Sequence, residues 1–443
     1  LQSIATFFLR LYFFAFLPAK YFKSIQKCRI VALNIPQYPE APRRQQPNTD
    51  ETSAEREAEM QKTYEEINEK IARGEAVVLT AEEVARMASE LSPAEIATRV
   101  DVVTTATFGA MCSSGCFINF GHPEPGLRME SLSLNGVPVF GGLAAVDAYI
   151  GTSEVSPSNP RYGGGHLIEA LVRGERLVLE AHGKGTDCYP RRSVRATIDK
   201  ESVNEIIMVN PRNAYQNYPA ATNSSNRIMY TYMGTLLPRF GNITYSTSGE
   251  LSPLLNDPEL RTIGIGTRVF LAGAQGFVSW NGTQFNTEKP KNEFGLPVSN
   301  ARTLMLTANV KTMDPAFIKA AYFERYGVSL FLGVGIPIPV LDEDIARHVS
   351  VSNQQIHTII CDYAAPGHPG ITKVSYAELR SGWVELSGRR VRTAPLSSLT
   401  KAREIAEILK KQVASGLFPL APPVQPLPDH SIVRGLQVEG DAI

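Results

Sequence analysis

The strongest constraint on this chain's fold is its punctuation between residues 63 and 416, where capped helices give way to short apolar runs cut by glycine. A helix through Tyr64, Ile67 and Ile71 is stopped by Gly74. Thr80-Ala-Glu-Glu83 and Ser92-Pro93-Ala-Glu95 are capping boxes, each opening a further helix. A β-prone run over residues 102–107 follows. Residues 132–140 read as a hairpin turning at Asn135-Gly136, a pair suited to the positive φ angles of a tight turn. Residues 177–180 and 194–198 read as strands flanking a loop at 183–192, and residues 261–280 as several short strands. A strand at 304–310, a helix near 315–325 and a strand at 329–334 suggest a βαβ unit. The closing helix, 399–414, carries Ile405, Ile408, Leu409 and Val413 on one face and stops at Gly416. The pattern predicts a mixed α/β (α+β) fold with one large glycine-rich catalytic core and a mixed sheet over residues 58–418.

Both ends read differently. Residues 4–17 are nearly all apolar, broken by Arg10, but the run is shorter than the ~20 residues that span a bilayer. Residues 36–57 are rich in proline, glutamine and charge and have little to bury. Residues 1–57 are therefore expected outside the fold, and residues 419–443 form a proline-rich tail.

Charge and cysteine usage narrow the function. Lysine plus arginine equals aspartate plus glutamate, 44 each, so there is no basic excess for nucleic acid and none for an anionic membrane. Five cysteines in 443 residues do not make a disulfide scaffold. The reading is a cytoplasmic protein with free thiols.

Cys188 stands out. It lies in Gly183-Lys-Gly-Thr-Asp-Cys188-Tyr-Pro-Arg-Arg192, with cations nearby to favour a thiolate. The second candidate segment holds Cys112-Ser-Ser-Gly-Cys116, whose Ser-Ser-Gly can turn its amides onto an anion. The cysteine spacing could equally be half of a metal or iron–sulfur site, but a full site needs about four ligands. Gly264-Ile-Gly266 lacks the third glycine of a dinucleotide fingerprint, and Gly163-Gly-Gly-His166 reads as a plain loop.

Four stretches carry a family resemblance: TTATFGAMCSSG (104–115), GGLAAVDAYIG (141–151), GTDCYPR (185–191) and NPRNAYQNYPAATN (210–223). The chain resembles the homocysteine biosynthesis proteins, the L-aspartate semialdehyde sulfurtransferases, over residues 63–420. The resemblance implies insertion of sulfide into aspartate 4-semialdehyde followed by reduction, with the motif cysteines falling on Cys112 and Cys188. On this reading Cys188 carries a persulfide that attacks the aldehyde, and Cys112 cleaves the S–S bond, leaving a Cys112–Cys188 disulfide. Arg191 or Arg212 binds the substrate carboxylate, and Asp187 or His122 moves protons. No bound cofactor or metal is expected, and the electrons come from a separate, ferredoxin-like protein. Cys116 stands where the family pattern has a small apolar residue, so its role is open. Some members add a pair of CBS domains at the C-terminus; the chain stops soon after its last helix, and no regulation of that kind is expected. The alternatives are a non-catalytic persulfide carrier or iron–sulfur protein using Cys112, Cys116 and Cys188, and a nucleotide-dependent oxidoreductase resting on Gly264 and Gly266.

Overall fold

The computed structural model describes residues 62–437 and 439. The expectation for residues 1–57 lies outside them. Eight helices are present in the described residues: α1 (Tyr64–Arg73), α2 (Ala81–Met87), α3 (Pro93–Arg99), α4 (Gly164–Val172), α5 (Pro253–Asn256), α6 (Glu343–Val349), α7 (Tyr376–Arg380) and α8 (Leu399–Ala414). The capping boxes form as read: Thr80 and Ser92 each accept the amide three residues on, and Glu83 and Glu95 return the bond. Thr63 does the same with Glu66 at the start of α1, and Gly74 ends that helix at φ +70°.

The body is a ten-stranded mixed sheet. Its strands along the chain are β1 (Val78–Thr80), β2 (Val102–Ala110), β3 (Gly115–Asn119), β4 (Asp147–Gly151), β5 (Glu205–Asn213), β6 (Arg268–Leu271), β7 (Ala274–Asn281), β8 (Leu304–Asn309), β9 (Ile318–Phe323) and β10 (Gly327–Pro339). The spatial order is β1-β2-β10-β6-β7-β8-β5-β3-β4, with β9 paired to β10. Only β1 and β2 run parallel; the other pairings are antiparallel. A six-stranded sheet built from residues 220–245 and 357–395 and a four-stranded sheet from residues 131–139 and 177–198 complete the fold. The α+β expectation holds.

Helix α8 lies across β2 and β10. It buries Ala402, Ile405, Ala406, Leu409 and Val413, one stripe at helical spacing. Covering Ile405, Leu409 and Val413 alone contributes roughly 5–9 kcal/mol of apolar burial.

One element departs from the sequence reading. Residues 315–325 are not a helix between two strands. A short turn of 3₁₀ helix, Pro315–Phe317, leads into β9, which forms an antiparallel hairpin with β10 through Gly327. Ile318, Ala320 and Tyr322 alternate with outward residues, a period of two that the apolar content disguises as helical. The proline-rich tail also packs on the core. Val424 donates its amide to the Ile265 carbonyl, and Leu420 and Leu427 are buried. Gly264 and Gly266 serve this packing: a Cβ at Gly266 would come 2.8 Å from the Val424 side chain. That accounts for the glycines without a nucleotide. Gly163-Gly-Gly-His166 is likewise not a plain loop. It opens α4, where a Cβ on Gly164 would strike the Gly151 carbonyl oxygen at 1.8 Å.

Asp101 ties the first helix to the sheet. Its carboxylate accepts from Lys62 Nζ at 2.9 Å, Lys70 Nζ at 2.8 Å and the Val77 amide at 2.9 Å, and only 3% of its side chain is exposed. Burial alone would raise this carboxyl; the bonds from Lys70, Val77 and Lys62 outweigh it and hold the group below its usual range. A folded-state value below the unfolded one contributes stability that is present above about pH 4 and is lost as pH falls through the folded value. Asp101→Asn is expected to cost about 2 kcal/mol at pH 7. The mutant's deficit in urea melts should shrink below pH 4, and an equal deficit at pH 3 and pH 7 would contradict the assignment.

Candidate active site

The segment Met111–Gly115 turns from β2 into β3, and its geometry is fixed from several sides. Ser114 Oγ donates to the Met111 carbonyl at 2.8 Å and accepts from Asn210 Nδ2 at 2.9 Å. Ser113 Oγ donates to the Arg212 carbonyl at 3.4 Å. Gly115 is required by crowding, since a Cβ there would fall 2.1 Å from Tyr149 Oη and 2.7 Å from the Ile150 carbonyl oxygen. The first and last of the four motif stretches are thus bonded to one another, and the turn holds Cys112 at the mouth of a cavity.

That cavity has a volume of about 110 Å³ and is lined by Cys112, Ser113, Arg212, Tyr215, Tyr232 and Tyr326 among others. Cys112 Sγ lies 3.6 Å from Tyr326 Oη. Arg212 Nε donates to Thr283 Oγ1 at 3.2 Å, with no carboxylate among its partners in the described residues. Burial raises the phenols of Tyr326 and Tyr218, and pushes Tyr215 up to about 12 against the opposing pull of Arg212. These hydroxyls stay protonated at neutral pH and can donate. Tyr232 and Tyr363 share a bond of 2.9 Å behind them. The site therefore offers a thiol, a cation suited to a carboxylate, and phenols suited to a developing oxyanion.

Cys188 is elsewhere. It is exposed, on the loop over residues 183–192 between the strands Leu177–His182 and Ser193–Ile198. The loop packs on the segment that leaves the far end of β3: the Tyr189 ring stacks on His122 at 5.7 Å. Arg191 donates through Nε to the Pro125 carbonyl at 3.0 Å and through Nη2 to the Glu124 carbonyl at 2.5 Å. Its guanidinium anchors the loop to the segment at Glu124–Pro125 and is not among the residues lining the Cys112 cavity. Asp187 and His122 are exposed beside this loop, away from the cavity. Of the site residues read from sequence, the structure joins Cys112 with Arg212, and Cys188 with Arg191, Asp187 and His122. Both thiols are free, so the Cys112–Cys188 disulfide is not formed.

Cys116 belongs to neither group. It is wholly buried on the inner face of β3, and burial pushes its thiol up. Among the described residues no three His, Cys, Asp or Glu side chains converge as a metal-ligand set. Tyr326 was not found from sequence. It lies 214 residues from Cys112, and nothing local marks it. Tyr215 and Tyr218 sit inside the NPRNAYQNYPAATN stretch, which was the available signal.

Residues 76–420 match the family model described as homocysteine biosynthesis enzyme, sulfur-incorporation. The chain belongs to this family. It is 49% identical over 381 residues to the L-aspartate semialdehyde sulfurtransferase of Methanosarcina acetivorans, covering 85% of this chain and 74% of that one. It is 48% identical over 384 residues to the protein of the same name from Methanocaldococcus jannaschii, covering 83% and 73%. An uncharacterized protein of Methanothermobacter thermautotrophicus is 30% identical over 327 residues, covering 72% and 71%. No solved structure matches the chain.

The two arginines of this sulfur-incorporation enzyme should separate cleanly. Arg212→Ala is expected to raise the KM for a carboxylate-bearing aldehyde at least about tenfold, the loss of one charge-assisted bond. Arg191→Ala should leave that KM unchanged and speed proteolysis within residues 183–192, measured by mass spectrometry. The opposite pattern would return Arg191 to the substrate site.

Proposed function

We propose that the enzyme forms the carbon–sulfur bond of homocysteine from L-aspartate semialdehyde, binding the aldehyde in the Cys112 cavity and receiving sulfur at Cys188. The observation that carries the reading is the cavity, which joins a thiol, Arg212 and Tyr326 within a family of sulfur-incorporating enzymes. The relatives named as L-aspartate semialdehyde sulfurtransferases support the substrate.

The chemistry balances as aldehyde plus hydrogen sulfide plus two electrons and two protons, giving thiol and water. The cycle is entered from the free thiols when a polysulfide hands its terminal sulfur to Cys188 and leaves one sulfur shorter. The first turnover closes a Cys112–Cys188 disulfide, and hydrosulfide then opens that disulfide at the Cys188 sulfur, leaving a Cys188 persulfide and a Cys112 thiolate. The outer sulfur attacks the aldehyde carbon, and Tyr326 donates its proton to the aldehyde oxygen. Cys112 then attacks the Cys188 sulfur, which re-forms the disulfide and releases the substrate sulfur as a thiolate. Loss of water gives a thioaldehyde, and two electrons from an external, ferredoxin-like donor reduce it to homocysteine. Cys188 is not among the residues lining the cavity, so the cycle requires residues 183–192 to carry it to the cavity mouth. Free thiols fit a reducing, cytoplasmic setting. The iron–sulfur alternative loses a ligand, because Cys116 points into the core.

The test is homocysteine formation from aspartate semialdehyde, sulfide and a strong reductant, with persulfide read by intact mass. Cys188→Ser should abolish both product and persulfide. Cys112→Ser should abolish product, while polysulfide still loads the exposed Cys188. Tyr326→Phe should slow turnover about 100-fold with persulfide loading intact. Normal turnover in Cys188→Ser would overturn the cycle. Cys116→Ala should turn over normally, and an inactive, folded Cys116→Ala that loses bound iron would favour the cluster reading.

A further inference from the structure

The core covers one face of the strands β7, β8, β5, β3 and β4, with α4 against β3 and β4, and among the described residues no helix or strand covers the other face. The alternation is plain in burial: Cys116 and Ile118 point in while Phe117 points out, and Ile206 and Met208 point in while Ile207 points out. An antiparallel sheet with one solvated face ordinarily shows polar residues there. This one shows Phe140, Phe117, Ile207, Phe277 and Trp280, exposed to 59%, 42%, 40%, 40% and 55%. They form one band. Phe140 pairs across with Tyr149, Tyr149 with Phe117, and Phe117 with Ile207. Phe277 stands beyond, opposite Thr307 of β8, and a register shift between Val278 and Trp280 turns Trp280 onto the same face. Phe117 and Tyr149 are in contact, with ring centroids 5.1 Å apart.

We propose that this bare sheet face is the interface of a homodimer, a second copy of the chain packing its own band against it. The five side chains leave about 450 Å² of apolar surface in water, taking about 200 Å² for a fully exposed large side chain. A stable dimer buries about 800 Å² on each partner, so the band supplies more than half of the footprint. Asn119 and Glu205 at one end fit the wetter rim that surrounds such a core, while Asn309 and Thr307 of β8 stand between Ile207 and Phe277 within the patch. The charged side chains of this face, Asp147 and Glu205, lie together at one end of the band, so a two-fold arrangement sets the two copies' carboxylates at opposite ends rather than against each other. A patch that is mainly apolar favours a like partner over a strongly charged one, and an isologous contact needs only this one surface.

The experiment uses the full chain. Sedimentation velocity from sub-micromolar to tens of micromolar should show a dimer, and Phe117→Asp or Ile207→Glu should weaken it at least about thirtyfold. Both positions are solvent-facing, and circular dichroism checks that the variants fold. On the unmodified protein, hydroxyl-radical labelling of Phe117 and Trp280 should fall as concentration rises across the transition. A chain that stays monomeric throughout overturns the proposal. So does a dimer that survives both substitutions, or labelling that is low at every concentration, which would mean that another segment of the same chain covers the face.

Discussion

The pairing of β2 with β10 is the constraint on which the rest depends. Nine consecutive residues, Val102 to Ala110, face partners from Pro339 back to Phe331 without a register shift. Every residue of β2 except Ala110 is buried, so a slip of one residue would move each side chain to the wrong face. The same ladder carries α8 on one side, where Thr104 Oγ1 donates to the Ala406 carbonyl at 3.0 Å. Gly333 and Gly335 of β10 let Ile405 and Leu409 come close. Because β2 cannot slide, the turn that follows it cannot either. Cys112 is therefore placed by the turn that closes this ladder, and Tyr326 by the hairpin that opens the partner strand at the same end.

Much of this was legible locally. Capping boxes, the Asn135-Gly136 hairpin and the closing helix are each decided by a few adjacent residues, and each formed as read. Residues 315–325 were misread because apolar content alone does not separate a strand from a helix; the pairing with β10 decides it. The cavity was only half legible. Its thiol and its arginine lie in recognisable stretches, but Tyr232 and Tyr326 arrive through long-range pairing that no local pattern announces. The division of the cysteines was not legible at all. Cations adjacent to Cys188 in sequence suggested a thiolate pocket, whereas in space Arg191 spends its donors on the Glu124 and Pro125 carbonyls.

That division has a chemical logic. A thiol that takes sulfur from outside must be reachable, and one that handles an aldehyde and its sulfur adduct is better shielded from water, which would otherwise compete for the same carbon. One position cannot serve both needs without a moving part. Here Cys112 sits half-buried in the turn after β2, and Cys188 on a loop joined to its neighbours by the Arg191 side-chain bonds to the Glu124 and Pro125 carbonyls, the Arg191 amide bond to the Gly126 carbonyl, the Lys184–Glu130 ion pair and the Tyr189–His122 stack. Bonds of this kind are worth about 1 kcal/mol each in net terms, far less than the apolar burial that α8 makes over β2 and β10. In the proposed cycle it is the loop that moves, since its exposed polar contacts cost less to break than the apolar cover over β2 and β10. The proposed cycle thus assigns the moving part to the loop and the reaction to the cavity, whichever sulfur donor or electron donor the enzyme meets.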